Sequence, residues 1–516
     1  MTSTKKITAV RKWGTLAVCC VAALLLAVDN TVLNLAIPHL VESMRPSATQ
    51  LLWIADAYGF ALGGLVIAMG NLGDRVGRKR LLLVGATAFG LASALTAYAL
   101  DPELLIAARA LQGVAGATIM PSTLSLVRHT FTDPKERTLA MGIAGGVGAG
   151  GFALGPVVGG PLLDHFWWGS VFLINIPVLA LVLLAGIPLL VEYRNPRPQR
   201  IDWISVPLSG GGLVGLVYGI KAAARDGAAQ PSVWIAVGLG ALLLALFVRR
   251  QQRIPNPLLD LRLFRAPAFT GSIAANLFTI VALSAQSLAF SLYFQDVRGY
   301  DPMGTGFALL LGPAGAVVSG PLTPLAIQKL GRARTAGLGL ALMSLSCCGY
   351  LLVGAGTDYW LLALPMLVSG AGIGFTMGVT SDTVLASAPK EKAGVAGAVG
   401  ETAMELGGAL GIAVLGSVLT AGYRGDLRLP AGLPSAAADA AHESLAGAVG
   451  AAASLPGGLA RGMVAQAQQA YLSGLHLTVL AGAVLLLAGV PVVARLLRGV
   501  PAVIEEPAAE PALTAA

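Results

Sequence analysis

Charge is what this 516-residue chain has least of. Asp, Glu, Lys and Arg make up 12% of it, about half the roughly 25% of a soluble domain. Apolar residues reach 55%. That balance excludes a soluble globular protein and predicts a polytopic membrane protein. Cysteine is scarce too, with four residues in two adjacent pairs, Cys19–Cys20 and Cys347–Cys348. No CxxC and no histidine cluster accompanies them, so they read as small buried apolar residues, and no metal site is expected. No GxxxxGK[ST] loop occurs, which argues against a nucleotide-driven pump. No connector is long enough to hold a soluble signalling domain. The amino-terminal lysines precede a long apolar run without a small-residue cleavage site. That run is expected to stay as a first helix and not to be removed as a signal peptide.

What is there is a series of apolar stretches long enough to cross a bilayer at about 20 residues each. Fourteen can be read: 14–38, 50–72, 81–100, 104–127, 138–163, 168–191, 203–222, 231–248, 268–292, 303–327, 335–355, 359–386, 394–421 and 474–497. The formal net charge of +8 is distributed by topology and does not point to nucleic acid. With both termini on one side, that side collects most of the Lys and Arg, including Lys5, Lys6, Arg11, Lys12, Arg75, Arg78, Lys79 and Arg80. The other side holds only Arg45, Lys221, Arg225, Arg298, Arg424, Arg428 and Arg461. The positive-inside rule then places both ends in the cytoplasm.

The loops divide the chain as six, two and six spans. The expected units are a bundle over 1–193, two additional helices over 194–252, and a second bundle over 253–500. The last contains an outer loop at 422–473. That loop reads either as a mobile or surface-lying spacer or as a functional segment; the acidic, proline-rich 501–516 tail reads as disordered. A faint repeat supports duplicated halves: GNLGDRVGRKR at 70–80 returns as PLAIQKLGRAR at 324–334, without its acid.

Several residues do not belong in apolar spans. Asp29 in the first and Asp56 in the second are carboxylates at depths where insertion costs roughly 2.5–3.5 kcal/mol. Glu401 and Glu405 in the thirteenth are four apart, on one helix face. Arg109 is the basic residue read at depth and needs an acid or helix carbonyls as partner, either as a structural lock or in proton coupling. Trp53 and Phe60 lie on the Asp56 face of their helix. They offer an aromatic surface to a flat cation, or else face lipid or its interface. Asp382 in the twelfth span is a site residue or a cap at the cytoplasmic end. Lys221 ends the seventh span and is expected to snorkel to the outer interface.

Motifs sharpen this. Gly70, Asp74, Arg75, Gly77 and Arg78 in GNLGDRVGR form a tight turn whose acid can sit against a helix amino terminus. At this spacing they resemble the loop signature of the major facilitator superfamily. Arg109, Gln112, Gly113 and Gly116 match its RxxQGxGaa motif, and that resemblance implies proton coupling for Arg109. Gly151, Gly155, Pro156, Gly159 and Gly160 fit GxxxGPxxGG, which resembles the antiporter motif of drug-exporting facilitators. Such glycines let helices approach closely, and Pro156 adds a kink. Asp29, Thr31, Asn34 and Pro38, then Trp53, Asp56 and Tyr58, then Glu401 and Glu405, resemble the fourteen-helix drug:proton antiporter branch, with its QacA-like quaternary-ammonium efflux proteins.

The resemblance implies an all-α major facilitator fold with 14 helices arranged 6+2+6, in a bacterial inner membrane. It implies a monomeric exporter of lipophilic, mainly cationic drugs, driven by the proton gradient without cofactor. Partners are then organic cations, protons and membrane lipid. Proton coupling would fall to Asp29, Asp56, Arg109, Glu401 and Glu405, and substrate contact to Asp56, Trp53, Phe60, Glu401 and Asn34. A carboxyl in low dielectric holds a proton more readily, and such a group takes either a proton or a cation. An exporter of an endogenous metabolite or antibiotic is the alternative. An intramembrane aspartyl protease would also need paired acids, but GNLGDR lies at a turn and not within a later helix. Enzyme activity is not expected.

Overall fold

The computed structural model describes residues 8–194, 202–226, 230–255, 257–387 and 393–501. No strand occurs among them. Most of the 193–200 connector and the tail from 502 onward lie outside the described residues, as do the side chains of Asn34, Pro38 and Pro156. In chain order the helices begin with α1 (Ala9–Met44), α2 (Ala48–Val76), α3 (Arg78–Ala97), α4 (Pro102–Thr130) and α5 (Pro134–His165). The sixth predicted span is broken at Ile174 into α6 (Ser170–Leu173) and α7 (Asn175–Leu189). An extra hairpin follows, α8 (Ser205–Asp226) and α9 (Pro231–Gln251), then α10 (Pro267–Leu292). The tenth predicted span is in pieces, α11 (Pro302–Leu309), α12 (Leu311–Ser319) and α13 (Thr323–Leu330). Next come α14 (Arg332–Tyr350), α15 (Tyr359–Ala386), α16 (Ala393–Leu410) and α17 (Gly416–Asp426). The chain closes with α18 (Ser435–Glu443), α19 (Leu445–Ala452) and α20 (Gly457–Leu496).

Among the described residues, twelve helices are long and apolar enough to cross a membrane. The other two predicted spans, 138–163 and 335–355, fall in α5 and α14, which are not among those twelve. Helix starts follow simple local chemistry. Asp101, Asp133 and Asp301 each precede a proline and accept hydrogen bonds from first-turn N–H groups. Aspartate satisfies orphan donors there, and proline has no N–H to lose.

Two large apolar cores form, one among α1–α7 and one among α10–α20. The two halves meet along two seams, α2 and α4 against α16, and α5 against α11, α12 and α15. The glycine-rich stretch of α5 explains one close approach. A Cβ on Gly151 would stand 2.6 Å from Ala27 Cβ, one on Gly155 2.0 Å from Thr31 Oγ1, and one on Gly159 2.5 Å from Val32 Cγ2. Repeating every four residues, these three lay α5 directly on α1. Gly160 turns the other way, toward Met303 of the second half.

The faint repeat is real geometry. Gly77 (φ +116°) and Gly331 (φ +81°) make equivalent turns in a region that side chains avoid. Each is followed by a fully buried arginine, Arg78 or Arg332. Arg78 pairs with Asp74, four residues earlier at the end of α2. Position 328, the equivalent of 74, is a glutamine, and Arg332 instead reaches Asp382 of α15. The described carboxylate at the α3 amino terminus is that of Glu192, which accepts from Lys79 and Arg80 N–H at 3.0 and 3.1 Å. Arg75 is exposed.

The 422–473 segment forms helices that pack on the second half. Apolar residues on α18 and α19 (Ala437, Ala441, Leu445, Ala448) bury against Met463 and Ala467 of α20. Tyr423 Oη donates to Ala441 O at 2.6 Å, and Gln468 reaches the Asp296 and Val297 carbonyls. Helix α20 has 40 residues and runs about 60 Å, twice the hydrocarbon thickness of about 30 Å, so its first turns stand clear of the predicted span. The extra hairpin has its own clamp. Asp202 accepts from Arg250 Nε and Nη2 at 2.7 and 2.9 Å and from Ser205 Oγ at 2.6 Å. The Arg250 hydrogen bonds hold its carboxyl at about 2. A depressed acid contributes stability above its unfolded value near 3.9 and loses it as pH falls toward 2; exposure of the arginine keeps that contribution small.

The α1–α5 contact yields a measurable expectation. Gly155→Ala overpacks it and should cost about 1–3 kcal/mol, read as a lower apparent melting temperature in detergent. Gly148→Ala, which would meet nothing within 4 Å, should leave that temperature unchanged or raise it.

Candidate functional site

The predicted acids fall into two groups that share helix α2. The first is sealed inside the first half. Asp29 is fully buried, and its Oδ2 meets Arg109 Nη1 at 2.7 Å. Its Oδ1 accepts from Asn175 Nδ2 at 2.6 Å and Gln112 Nε2 at 3.3 Å. Gln112 Oε1 in turn accepts from Arg109 at 3.0 Å and from Thr96 Oγ1 at 3.1 Å. Ser93 Oγ accepts from both amides at 2.9 and 3.0 Å. The Arg109 guanidinium lies over the rings of Tyr58 at 4.8 Å and Phe172 at 5.6 Å. Side chains from α1, α2, α3, α4, α6 and α7 therefore converge on one ion pair. Arg109 has the acid partner its sequence context demanded.

The close approach of α4 makes this possible. A Cβ on Gly113 would stand 2.3 Å from Tyr58 O, so the motif's glycine brings α4 against α2 one turn above the arginine.

The second group sits where the halves meet. Asp56 of α2 and Glu405 of α16 face each other across positions without side chains. A Cβ on Gly59 would lie 3.5 Å from Glu405 Oε2, and one on Gly63 3.6 Å from its Cγ. Glu401, one turn earlier on α16, is within electrostatic reach of Glu405. Tyr58 bridges the groups: it is within reach of Asp29 and Arg109 on one side and of Glu401 and Glu405 on the other.

The expectation for Lys221 is overturned. Its ammonium does not snorkel away but meets Asp56 Oδ1 at 2.5 Å and lies 6.0 Å from the Phe60 ring centroid. Arg109 is thus not the only cation at depth. The reading of Trp53 and Phe60 as lipid-facing is overturned as well. Phe60 is buried, Trp53 packs edge-on against it at 5.7 Å, and Trp53 stacks on Tyr218 of α8 at 5.9 Å. The extra hairpin covers them.

Asp382 is neither a cap nor part of either group. It is fully buried between Arg332 Nη2 at 2.6 Å and Arg137 Nε at 3.2 Å, with Thr138 Oγ1 also at 3.2 Å. Arg137 and Thr138 belong to α5, so this cluster ties the two halves together on the face of the Gly77 and Gly331 turns. The side chain of Asn34 lies outside the described residues, and Gly70 is buried in α2. Sequence pattern alone does not single out Tyr218, Asn175, Ser93 or Arg137, and it gives Lys221 only an interfacial place. The available signal for Lys221 was an excess of acids over cations in the spans.

Removing one partner of a buried ion pair typically costs about 3–5 kcal/mol. Arg109→Met should therefore lower the apparent melting temperature sharply or abolish recovery of monodisperse protein. Adding Asp29→Asn should restore part of the loss. Equal recovery of wild type and Arg109→Met would show that the pair does not hold the first half together.

Comparison with known proteins agrees with this architecture. The sequence pattern of the Major Facilitator Superfamily matches residues 19–412. The chain is 42% identical to the multidrug efflux pump LfrA of Mycolicibacterium smegmatis, over 94% of this chain and 96% of that one. It is 36% identical to the methyl viologen resistance protein SmvA of Salmonella typhimurium, over 86% and 90%. It is 33% identical to the tetracenomycin C resistance and export protein of Streptomyces glaucescens, over 93% and 90%. In fold it is similar to the human organic anion transporter MFSD10, with a TM-score of 0.60 at 14% identity, covering 93% of this chain and 99% of that one. Its many apolar helices, its fold and these efflux relatives make the chain a multi-pass membrane transporter, not an enzyme, that belongs to the major facilitator superfamily.

Proposed function

We propose that this protein is a proton-coupled antiporter that exports lipophilic, mainly cationic compounds. It works as a monomer, without cofactor, in a bacterial inner membrane with both termini in the cytoplasm. In this reading all fourteen spans cross the membrane as 6+2+6, with α5 and α14 completing the twelve that meet the length and hydropathy criteria. The QacA-like branch is then its place in the family.

One observation carries the proposal: Asp56, Glu401 and Glu405 come from both halves onto one seam beside Trp53 and Phe60. Transporter sites lie between halves. Carboxylates there can hold a proton or an organic cation, and aromatic faces add attraction for a flat one. Exchange follows from that exclusion. A cation entering from the cytoplasm displaces protons, and protons returning from outside displace the cation. Asp29 and Arg109 are assigned the proton side of the coupling, linked through Tyr58. The Asp382–Arg137–Arg332 cluster then lies on the cytoplasmic face, where it must open for loading.

A second reading is export of an endogenous antibiotic. What favours it is the relatives named for tetracenomycin C export and for actinorhodin transport, both from Streptomyces.

The test is transport in proteoliposomes with an imposed pH gradient and a fluorescent lipophilic cation, for wild type and Asp29→Asn. Gradient-driven movement in wild type that Asp29→Asn abolishes is the expected result. If folded wild-type protein never moves a cation, the cationic reading fails and a neutral or anionic metabolite becomes the cargo.

A further inference from the structure

We infer that Lys221, carried by the extra hairpin, is a tethered counter-cation: it occupies the Asp56 carboxylate in the empty site, and an incoming cation must displace it. This rests on the proposed cation site and assigns the hairpin a part in its selectivity.

The register of α8 on α2 points to this. The helices run antiparallel, with Gly210 against Gly64 at one end, where a Cβ on Gly210 would stand 3.0 Å from Gly64 O. At the other end Tyr218 and Lys221, three residues apart, meet Trp53 and Asp56, also three apart. A pair at this spacing shares one helix face. In an antiparallel pair Lys221 stands level with Trp53 and Tyr218 with Asp56, so the two contacts cross, and the lysine stem reaches about one turn along α2, past the stacked rings, to the acid. Tyr218 on Trp53 sets the position from which the lysine stem reaches the acid.

The pairing is incomplete in a way that suits displacement. Lys221 meets only Asp56 Oδ1, and Oδ2 has no hydrogen-bond partner among the described residues. The Arg109–Asp29 pair, by contrast, is almost wholly buried and held by two amides. The Lys221 side chain keeps 30% of its surface exposed, against 1% for Arg109. It also stands five residues before the end of α8, about 7.5 Å of helix. A four-carbon stem can therefore swing its ammonium from the acid to the membrane surface.

The chemistry of the neighbours gives the swing a purpose. Asp56 and Glu405 both feel the one ammonium, so the empty seam is spared bare carboxylates in apolar surroundings. A delocalised organic cation can take over Asp56 only if its attraction to the acids and rings exceeds that of a charge already tethered there. Lys221 thereby sets a threshold that weak or small cations do not pass.

The experiment measures binding of tetraphenylphosphonium to purified protein at one pH, for wild type, Lys221→Gln, Lys221→Arg, and Lys221→Gln combined with Asp56→Asn. The expected result is binding about tenfold tighter in Lys221→Gln and near wild type in Lys221→Arg. The gain should be absent when Asp56→Asn is present. Unchanged or weaker binding in monodisperse Lys221→Gln overturns the inference and leaves the cation exporter standing. If wild type and variants bind no cation, the exporter reading fails, and a second readout decides on Lys221. Dicyclohexylcarbodiimide adds to protonated buried carboxyls, so Asp56, followed by peptide mass spectrometry, should be modified more in Lys221→Gln than in wild type. Equal modification overturns the counter-cation.

Discussion

An unpaired charge in apolar surroundings is too expensive to keep, and the architecture of this protein follows that constraint. With few charges in the chain, several buried ones are met by a partner from a distant part of the sequence. Asp29 waits for Arg109, 80 residues on, and for Asn175, 146 residues on. Asp382 draws Arg137 from 245 residues earlier. Asp56 draws Lys221 from 165 residues later. These pairings cross helices and, for Asp382, cross the halves. They act as the polar rivets of a bundle whose remaining contacts are apolar and non-directional.

The rivets differ in how completely they are filled. The Asp29 carboxylate accepts from a guanidinium and two amides, and Ser93 Oγ accepts from both amides. The Asp56 group is under-filled, with Oδ2 lacking a hydrogen-bond partner among the described residues, and lies on the seam between the halves. Asp56 and Tyr58 sit two residues apart on α2, about 200° around the helix at 3.6 residues per turn. One helix can thus present its acid to the seam and its phenol to the sealed pair. A change of charge on the seam then has a short physical route to the interior of the first half.

Glycine chemistry supplies the complementary half of the design. Gly151, Gly155 and Gly159 put α5 on α1, Gly113 puts α4 on α2, and Gly59 and Gly63 leave room for Glu405. Where side chains are absent, backbones meet and charges from adjacent helices come within bonding distance. The duplicated turn shows how far such geometry survives sequence change. Gly331 and Arg332 keep the place of Gly77 and Arg78, although the acid at the equivalent of position 74 has become Gln328. The buried arginine takes its carboxylate from α15, and that same Asp382 is met by Arg137 of α5, which ties the second half to the first.

Much of this was legible in the residues themselves. Apolar run length located the helices, because the cost of an exposed backbone in lipid is local and depends on composition. Lone acids and an arginine in those runs marked the interior, and glycines spaced by four marked where helices would touch. What the linear order could not decide was which charge finds which, since partners lie 50 to 245 residues apart and the choice depends on how helices pack. So Lys221 read as an interfacial residue until α8 was laid antiparallel on α2. Asp382 read as a site residue or a cap until α5 and α14 brought two arginines to it. The alanine-rich 422–473 segment carries too little side-chain character to announce that it folds. Its small residues bury only once α17 and α20 provide a surface, and that surface exists only in three dimensions.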